Sequence, residues 1–374
     1  MSKTAFLISC SDHYSHRMHI WDKCLRNRGY DTRYITSDFD HTTKQPFICN
    51  VAGCVQLSVR PYRKNLSAER ILSHRMFAKS VKRYVETHKP QVIIALLPPN
   101  FLSHYLAQYK KKHPNTVLIF DIFDLWPETF PSGRAKKLLS GAFRVWADLR
   151  DKNLWAADHI VTECDLFRNR LALDEIKSTT IHLCAEPAGI PSQPRLAGDA
   201  LELCYLGAIN NVIGIDEITA LLRSICAQRT VKLHIIGKGE RQQEFINKAK
   251  SAGADVIFHG AVYDPAEKAQ ILDRCHFGLN IMRSSVCVGL TMKSVDYFRF
   301  GLPIINNIPA DTAELVSRYN VGLPLDANLT QTLVSITNEQ CLQMRAHTKT
   351  LFATHFSEDV ALHKLDSILN EIIT

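Results

Sequence analysis

Short apolar, β-branched runs alternate with helix-periodic stretches along this chain, and the alternation is written twice. In the first half the runs are Ala5–Cys10, Thr32–Thr36, Val51–Val59, Val92–Leu97, Val117–Phe123, His159–Thr162 and Thr179–Leu183. Helical patterns over His16–Arg28, Ala68–Thr87, Phe101–His113 and Ala135–Leu154 separate them. The second half repeats the scheme with runs at Leu201–Leu206, Lys232–Ile236, Asp255–Phe258, Phe277–Met282, Leu302–Asn306 and Gly322–Leu323. Its helical patterns cover Gly214–Gln228, Glu240–Ala252, Pro265–Arg274 and Lys293–Phe300. A run of this length buries best in a parallel sheet with helices on both faces. The expectation is an α/β chain of two Rossmann-like, doubly wound domains, over 1–185 and 201–352. The segment 186–200 has Pro187, Gly189, Pro191, Pro194 and Gly198 and little periodicity, so it is expected as a linker. Two such domains are expected to leave a cleft beside the carboxyl ends of their strands, where open α/β sheets bind ligands.

Charge is divided along the same line. Residues 1–150 carry 24 Lys+Arg against 11 Asp+Glu, a net of +13, whereas residues 151–374 carry 21 against 26, a net of −5. Two bodies with different partners are implied. No apolar run approaches the roughly 20 residues of a membrane-spanning helix. The first apolar run is short and meets Ser11-Asp12-His13 too early for a signal peptide. The 11 cysteines are scattered without a CxxC pair, which suits buried thiols in a reduced, cytoplasmic protein.

The most informative segment runs from Ser284 to Ile305. It follows an apolar run, contains Gly289, becomes a short helix and is stopped by Gly301-Leu302-Pro303. A loop feeding a helix N-terminus presents free N–H groups and a positive dipole end, which suits a phosphate. Lys293 adds a cation in the first turn. Asp296 lies three residues on, on the same helical face, where a carboxylate can accept both hydrogen bonds of a ribose diol. A capped helix carrying a Lys293–Asp296 surface ion pair would show the same local pattern.

The Lys-x-x-Asp-Tyr-x-x-x-Gly-Leu-Pro pattern over Lys293–Pro303 resembles the nucleotide-sugar signature of GT-B glycosyltransferases, especially family 4. Tyr205-Leu206-Gly207, the Gly237-Lys238-Gly239-Glu240 turn and Phe258-His259-Gly260 with Tyr263 resemble further elements of that fold, in order. In the first half, Asp124-Leu125-Trp126-Pro127-Glu128 resembles a box of bacterial polysaccharide glycosyltransferases. The resemblance implies a GT-B chain with an interdomain cleft, whose last helix, within 353–374, returns to the first domain. It implies a hexose or N-acetylhexosamine moved from a nucleotide sugar, with UDP expected as the nucleotide, to a saccharide, lipid-linked or protein-linked glycan. Transfer would retain configuration, without a metal or other cofactor. It places the donor on Gly207, Lys238, Val288, Gly289, Leu290, Thr291, Met292, Lys293 and Asp296.

The chain departs from that family's pattern in three places. The first of the family's two glutamates aligns with Val288, and its two basic residues after the opening strand align with Ala208 and Ile213. Diphosphate binding then rests on backbone amides over Gly289–Met292 and on Lys293. The pattern is closer to adhesin-glucosylating or capsule enzymes. On the acceptor side, Ser11, Asp12, His13, Pro99, Asn100 and Arg168 are expected at the cleft. Asp124, Asp121 or His16 would position or deprotonate an acceptor hydroxyl. The histidines show no metal spacing. Asp38 and Asp40 read as solvated, and Glu128 as a possible cap.

Two other readings use the same residues: a UDP-sugar 2-epimerase of this fold, and a degenerate nucleotide-sugar-binding subunit suggested by Val288, Ala208 and Ile213. With a glycosyltransferase fold, the basic first half points to an anionic membrane surface on the cytoplasmic side rather than to nucleic acid.

Overall fold

A computed structural model describes residues 3–11, 15–130, 140–173, 177–189, 194–196 and 198–373. It divides into two compact units, Met1–His182 with Ala361–Thr374, and Leu183–Val360.

In the first unit the strands are β1 (Thr4–Ile8), β2 (Asp31–Ser37), a short β3–β4 hairpin (Phe39–Asp40, Gln45–Pro46), β5 (Val55–Leu57), β6 (Val92–Leu97), β7 (Val117–Ile122), β8 (His159–Thr162) and β9 (Ser178–Thr180). Seven of them form a parallel sheet in the order β5-β2-β1-β6-β7-β8-β9. β6 is buried along its whole length, as an uninterrupted Val-Ile-Ile-Ala-Leu-Leu run requires when helices cover both faces. The helices are α1 (Ser15–Asn27), α2 (Ala68–His88), α3 (Phe101–Lys112), α4 (Ser140–Asp151) and α5 (Asp165–Arg170). The order reverses beside β1. The chain passes outward from β1 to β2, whereas β6 on its other side leads to β7.

The second unit holds β10 (Leu201–Leu206), β11 (Val231–Ile236), β12 (Asp255–Gly260), β13 (Phe277–Asn280), β14 (Ile304–Asn306) and β15 (Gly322–Pro324), all parallel, in the order β12-β11-β10-β13-β14-β15. Its helices are α6 (Ile215–Cys226), α7 (Gln242–Ser251), α8 (Pro265–Leu272), α9 (Met292–Arg299), α10 (Asp311–Tyr319), α11 (Leu329–Ser335) and α12 (Asn338–Leu351). α13 (Glu358–Ile372) carries the chain from the second unit into the first, where Asp366 pairs with Arg28 and Lys364 donates to the Thr180 carbonyl.

The segment 186–200, expected as a linker, is grouped with the second unit. Arg195 N–H donates to the Asp273 carbonyl, a contact that a Pro- and Gly-rich stretch does not announce. The helices α10, α11 and α12 lie beyond the expected set. α12 starts with a Thr337/Gln340 capping box, a signal that was available in the sequence.

α9 is fixed to its sheet through Tyr297. The hydroxyl accepts the Leu206 N–H at 2.8 Å and donates to the Cys204 carbonyl at 3.1 Å. A Cβ on Gly278 would stand 2.6 Å from the Tyr297 ring, so β13 needs glycine there. Gly278→Ala is expected to destabilise the protein by about 1–3 kcal/mol through overpacking, read as a lowered urea midpoint at unchanged slope.

Candidate functional site

The expected donor residues come together at the carboxyl ends of the second unit's strands. β10 and β11 end on Gly207 and Gly237, whose φ values of +122° and +147° few L side chains adopt. A Cβ on Gly237 would fall 1.9 Å from the Gly207 carbonyl. The two turns are interlocked further on: Ile209 N–H donates to the Lys238 carbonyl, and Arg241 N–H to that of Ile209. Lys238 itself is exposed on this turn.

The loop before α9 is tied down from below. Thr312 donates to the Gly289 carbonyl through both its N–H (2.9 Å) and its hydroxyl (2.6 Å). Thr291 is the N-cap of α9, accepting the Ser294 N–H at 3.0 Å. Behind it, buried Asn280 joins Ser294, Thr291 and Asn306 through its amide. Leu290 is buried, Val288 is half-buried, and Met292 stands 63 % exposed. The first-turn N–H groups of Met292 and Lys293 lie outside the intrahelical pattern, as at any helix start. The dipole end of α9 is therefore built rigidly, from polar contacts that the sequence pattern did not single out.

Lys293 does not form a surface ion pair with Asp296. Its Nζ lies 4.0 Å from the centroid of the buried Tyr205 ring. A Cβ on Gly207 would approach its Cε to 3.3 Å. Burial pushes its ammonium down to about 7. Asp296 is half-buried one turn later, and burial raises its carboxyl above the ordinary value while Lys268 and Arg299 oppose the shift. A cation and a carboxylate, each partly desolvated and on one helix end beside a strand-end glycine, suit a ligand that brings both negative charge and hydroxyl groups.

The first unit corrects part of the sequence reading. Asp121 is fully buried and cannot meet an acceptor. Arg17 grips both its oxygens at 2.9 and 3.0 Å, Trp21 adds a third bond at 2.7 Å, and Arg17 also donates to the Ile181 and His182 carbonyls. It is a structural carboxylate. Asp124 accepts from the Trp126 indole and from the Thr129 hydroxyl at 2.6 Å, so both oxygens order the Asp-Leu-Trp-Pro-Glu turn. Glu128 pairs with buried Arg150 at 2.8 Å. Asn100 is buried and bridges the Trp126 and Trp146 carbonyls, which is again support. Arg168 pairs with Asp165 within α5 at 3.2 Å. His16 is exposed at the start of α1. Asp12 and His13 lie outside the described residues. Ser11 and Pro99 both line one cavity of this unit, together with Arg70, His74 and Tyr62, which the sequence reading missed.

Residues 200–335 match the family model described as glycosyl transferases group 1. No curated protein sequence matches the chain. Among solved structures, the fold is similar to sucrose-phosphate synthase from Thermosynechococcus elongatus (TM-score 0.70, 12% identity, 99% of each chain covered). It is similar also to the lipopolysaccharide outer core galactosyltransferase WaaB (TM-score 0.67, 12% identity, 99% of each chain). A third is Anabaena Alr3699/HepE in complex with UDP-glucose (TM-score 0.65, 13% identity, 98% of this chain and 99% of that one). The group 1 domain, with a two-domain GT-B fold over nearly the whole chain, supports a divergent GT-B glycosyltransferase and hence a transferase.

Two outcomes follow from the site's construction. Asp121→Asn removes the carboxylate that grips buried Arg17 and is expected to cost about 3–5 kcal/mol of stability, seen by chemical denaturation. Lys293→Met is expected to raise the melting temperature of the ligand-free protein at pH 7. The native ammonium is disfavoured by burial, and that penalty is fully present below pH 7 and fades as pH rises toward the ordinary lysine value. The stabilising effect should therefore shrink between pH 7 and 10.

Proposed function

We propose that the protein transfers a hexose or N-acetylhexosamine from a UDP-sugar to a saccharide, lipid-linked or protein-linked glycan, with retention of configuration, in bacterial-type polysaccharide or glycoconjugate synthesis. The observation that carries the reading is the arrangement of Gly207, Lys293 and Asp296 at the carboxyl ends of one parallel sheet. The diphosphate sits against the N–H groups of Met292 and Lys293. The Lys293 ammonium neutralises it, and Asp296 accepts from the ribose diol. A helix N-terminus and a partly desolvated cation aimed at a leaving diphosphate stabilise the charge that develops as the glycosidic bond breaks. The two loop glycines let that diphosphate approach the strand ends closely. The HepE structures with UDP, UDP and glucose, and UDP-glucose support the choice of nucleotide.

Titration calorimetry with UDP tests this. Asp296→Ala is expected to weaken binding by about 1–3 kcal/mol. Because burial holds Lys293 near 7, wild-type protein should take up a proton on binding UDP at pH 8, and Lys293→Met should abolish that uptake. Unchanged affinity in both variants would sink the assignment.

We further propose that the basic unit rests on an anionic membrane. The outer face of α2 carries Ile71, Leu72 and Met76, all exposed, with Arg75, Lys79 and Arg83 on the same side and Leu66 just before the helix. Its inner face buries Arg70, Ser73, His74, Phe77, Ala78, Val81 and Val85. An interfacial helix has this division of apolar and basic residues. Among the described residues no helix is long and apolar enough to cross a membrane. Vesicles rich in phosphatidylglycerol should sediment the wild type and lose the Leu72→Glu/Met76→Glu variant. Equal sedimentation of both proteins would refute it.

A further inference from the structure

A line of titratable side chains crosses three strands of the second unit. Leu203 and Tyr205 of β10 and Leu233 and Ile235 of β11 point into the unit's main apolar cluster. Side chains alternate along a strand, so Glu202 and His234 point to the opposite face. Cys204 pairs with His234, and His234 with Ile257 of β12. Glu202 and His259 therefore flank His234 along one diagonal of the sheet. Phe258 pairs with Ile235 and Gly260 with Ile236, which makes His259 the extra residue of a bulge. A bulge re-aims the side chain it carries, and the His259 ring lies against that of His234.

The partners fix where the protons sit. His234 is buried, and both its ring nitrogens are engaged: Nε2 with Glu202 Oε2 and Nδ1 with His259 Nε2, each at 3.0 Å. The two ring planes differ by 8°. A carboxylate oxygen only accepts, so His234 carries its proton on Nε2. Its Nδ1 is then an acceptor, and His259 must donate to it from Nε2. His259 Nδ1 is left as a lone pair without a protein partner among the described residues. Four groups surround the relay besides its own rings. Glu202 comes from β10, Lys232 from β11 with its Nζ 3.6 Å from Glu202 Oε1, and Arg274 and His276 from the segment before β13. His276 is occupied elsewhere, since its Nδ1 accepts the Glu202 N–H and its Nε2 bonds Asn338 Oδ1, both at 3.0 Å. Burial pushes the His234 imidazole below its ordinary value although Glu202 opposes the shift. Burial, then His234 and Arg274, push His259 down as well. Both rings are therefore neutral at pH 7.

We propose that Glu202, His234 and His259 form a relay that takes up one proton from solvent at His259 Nδ1 and holds it beside the Glu202 carboxylate, an acid-sensitive device at the edge of this sheet. An N–H bond forms at His259 Nδ1, the Nε2 proton of His259 passes to His234 Nδ1, and the charge comes to rest on His234, 3.0 Å from Glu202. Both hydrogen bonds survive, with donor and acceptor exchanged between the rings. A second proton sets N–H against N–H, parts the rings and removes this bridge from β12, the outermost strand. The test is nitrogen NMR of the histidine rings in full-length protein. At pH 7.5 both His234 and His259 should be Nε2–H tautomers. On acidification the nitrogens of both rings should shift in one common step, with a midpoint below the ordinary histidine value of about 6.5. Glu202→Gln, whose amide oxygen still accepts from Nε2–H, should lower that midpoint by about 1–3 pH units. At lower pH the β12 amides should lose hydrogen-exchange protection before those of β10. If Glu202→Gln does not fold, the wild-type tautomers and the common step decide the matter. An Nδ1–H tautomer on either ring at pH 7.5, or titration of His259 while the His234 nitrogens stay unchanged, overturns the relay. An unchanged midpoint in Glu202→Gln, or simultaneous loss of protection in β10 and β12, overturns the device.

Discussion

The hydroxyl of Tyr297 holds the second unit of this molecule together. It takes the last N–H of β10 and gives its proton to a carbonyl two residues earlier, inside a fully buried environment. That pair of bonds fixes how α9 sits on the sheet, and the missing side chain of Gly278 leaves room for the ring. Lys293 lies one turn before Tyr297 on that helix, so its ammonium is carried over Tyr205 and against Gly207. Asp296 precedes Tyr297 directly and stays at the rim. The aromatic residue of the signature is therefore the reason the charged residues around it have a place to act.

The first unit solves a comparable problem with ions. Arg17, Trp21 and Asp121 tie α1 to the middle of the sheet and to the chain at Ile181 and His182. Arg150 and Glu128 tie α4 to the turn after β7. Both networks are buried on at least one partner, so each charge depends on the other being present. What remains open after these pairings is the crevice beside α2. One helix thus presents Arg70 and His74 inward and a basic, apolar face outward.

The strand–helix alternation was legible because parallel strands covered on both faces must be apolar throughout, and helices between them must repeat every three to four residues. Leu201–Leu206, Val92–Leu97 and His159–Thr162 coincide with the expected runs. The loop and helix over Ser284–Phe300 were legible as well, since their spacing is local, whereas Gly207 and Lys238 join them only through the sheet. The roles of the polar residues at the first unit's strand ends were not. Asp121, Asp124 and Asn100 stand at strand ends in sequence terms, where a catalytic group and a structural one look alike. For Asp121 and Asn100, only distant partners such as Arg17 and the Trp126 carbonyl distinguish them, and for Asp124 only the turn that brings Trp126 and Thr129 back onto it. His74 and Arg70 were hidden for the converse reason, as ordinary members of an amphipathic helix.

The sequence by itself determined a two-domain α/β chain, the alternation of its main strands and helices, and a loop–helix segment suited to a diphosphate and a ribose, because period, length and spacing are local properties. The tertiary structure decided which charges are spent on holding the fold and which face open space. Burial, the cost of an unpaired charge and the reach of a hydrogen bond depend on residues distant in the chain, and no local pattern encodes them.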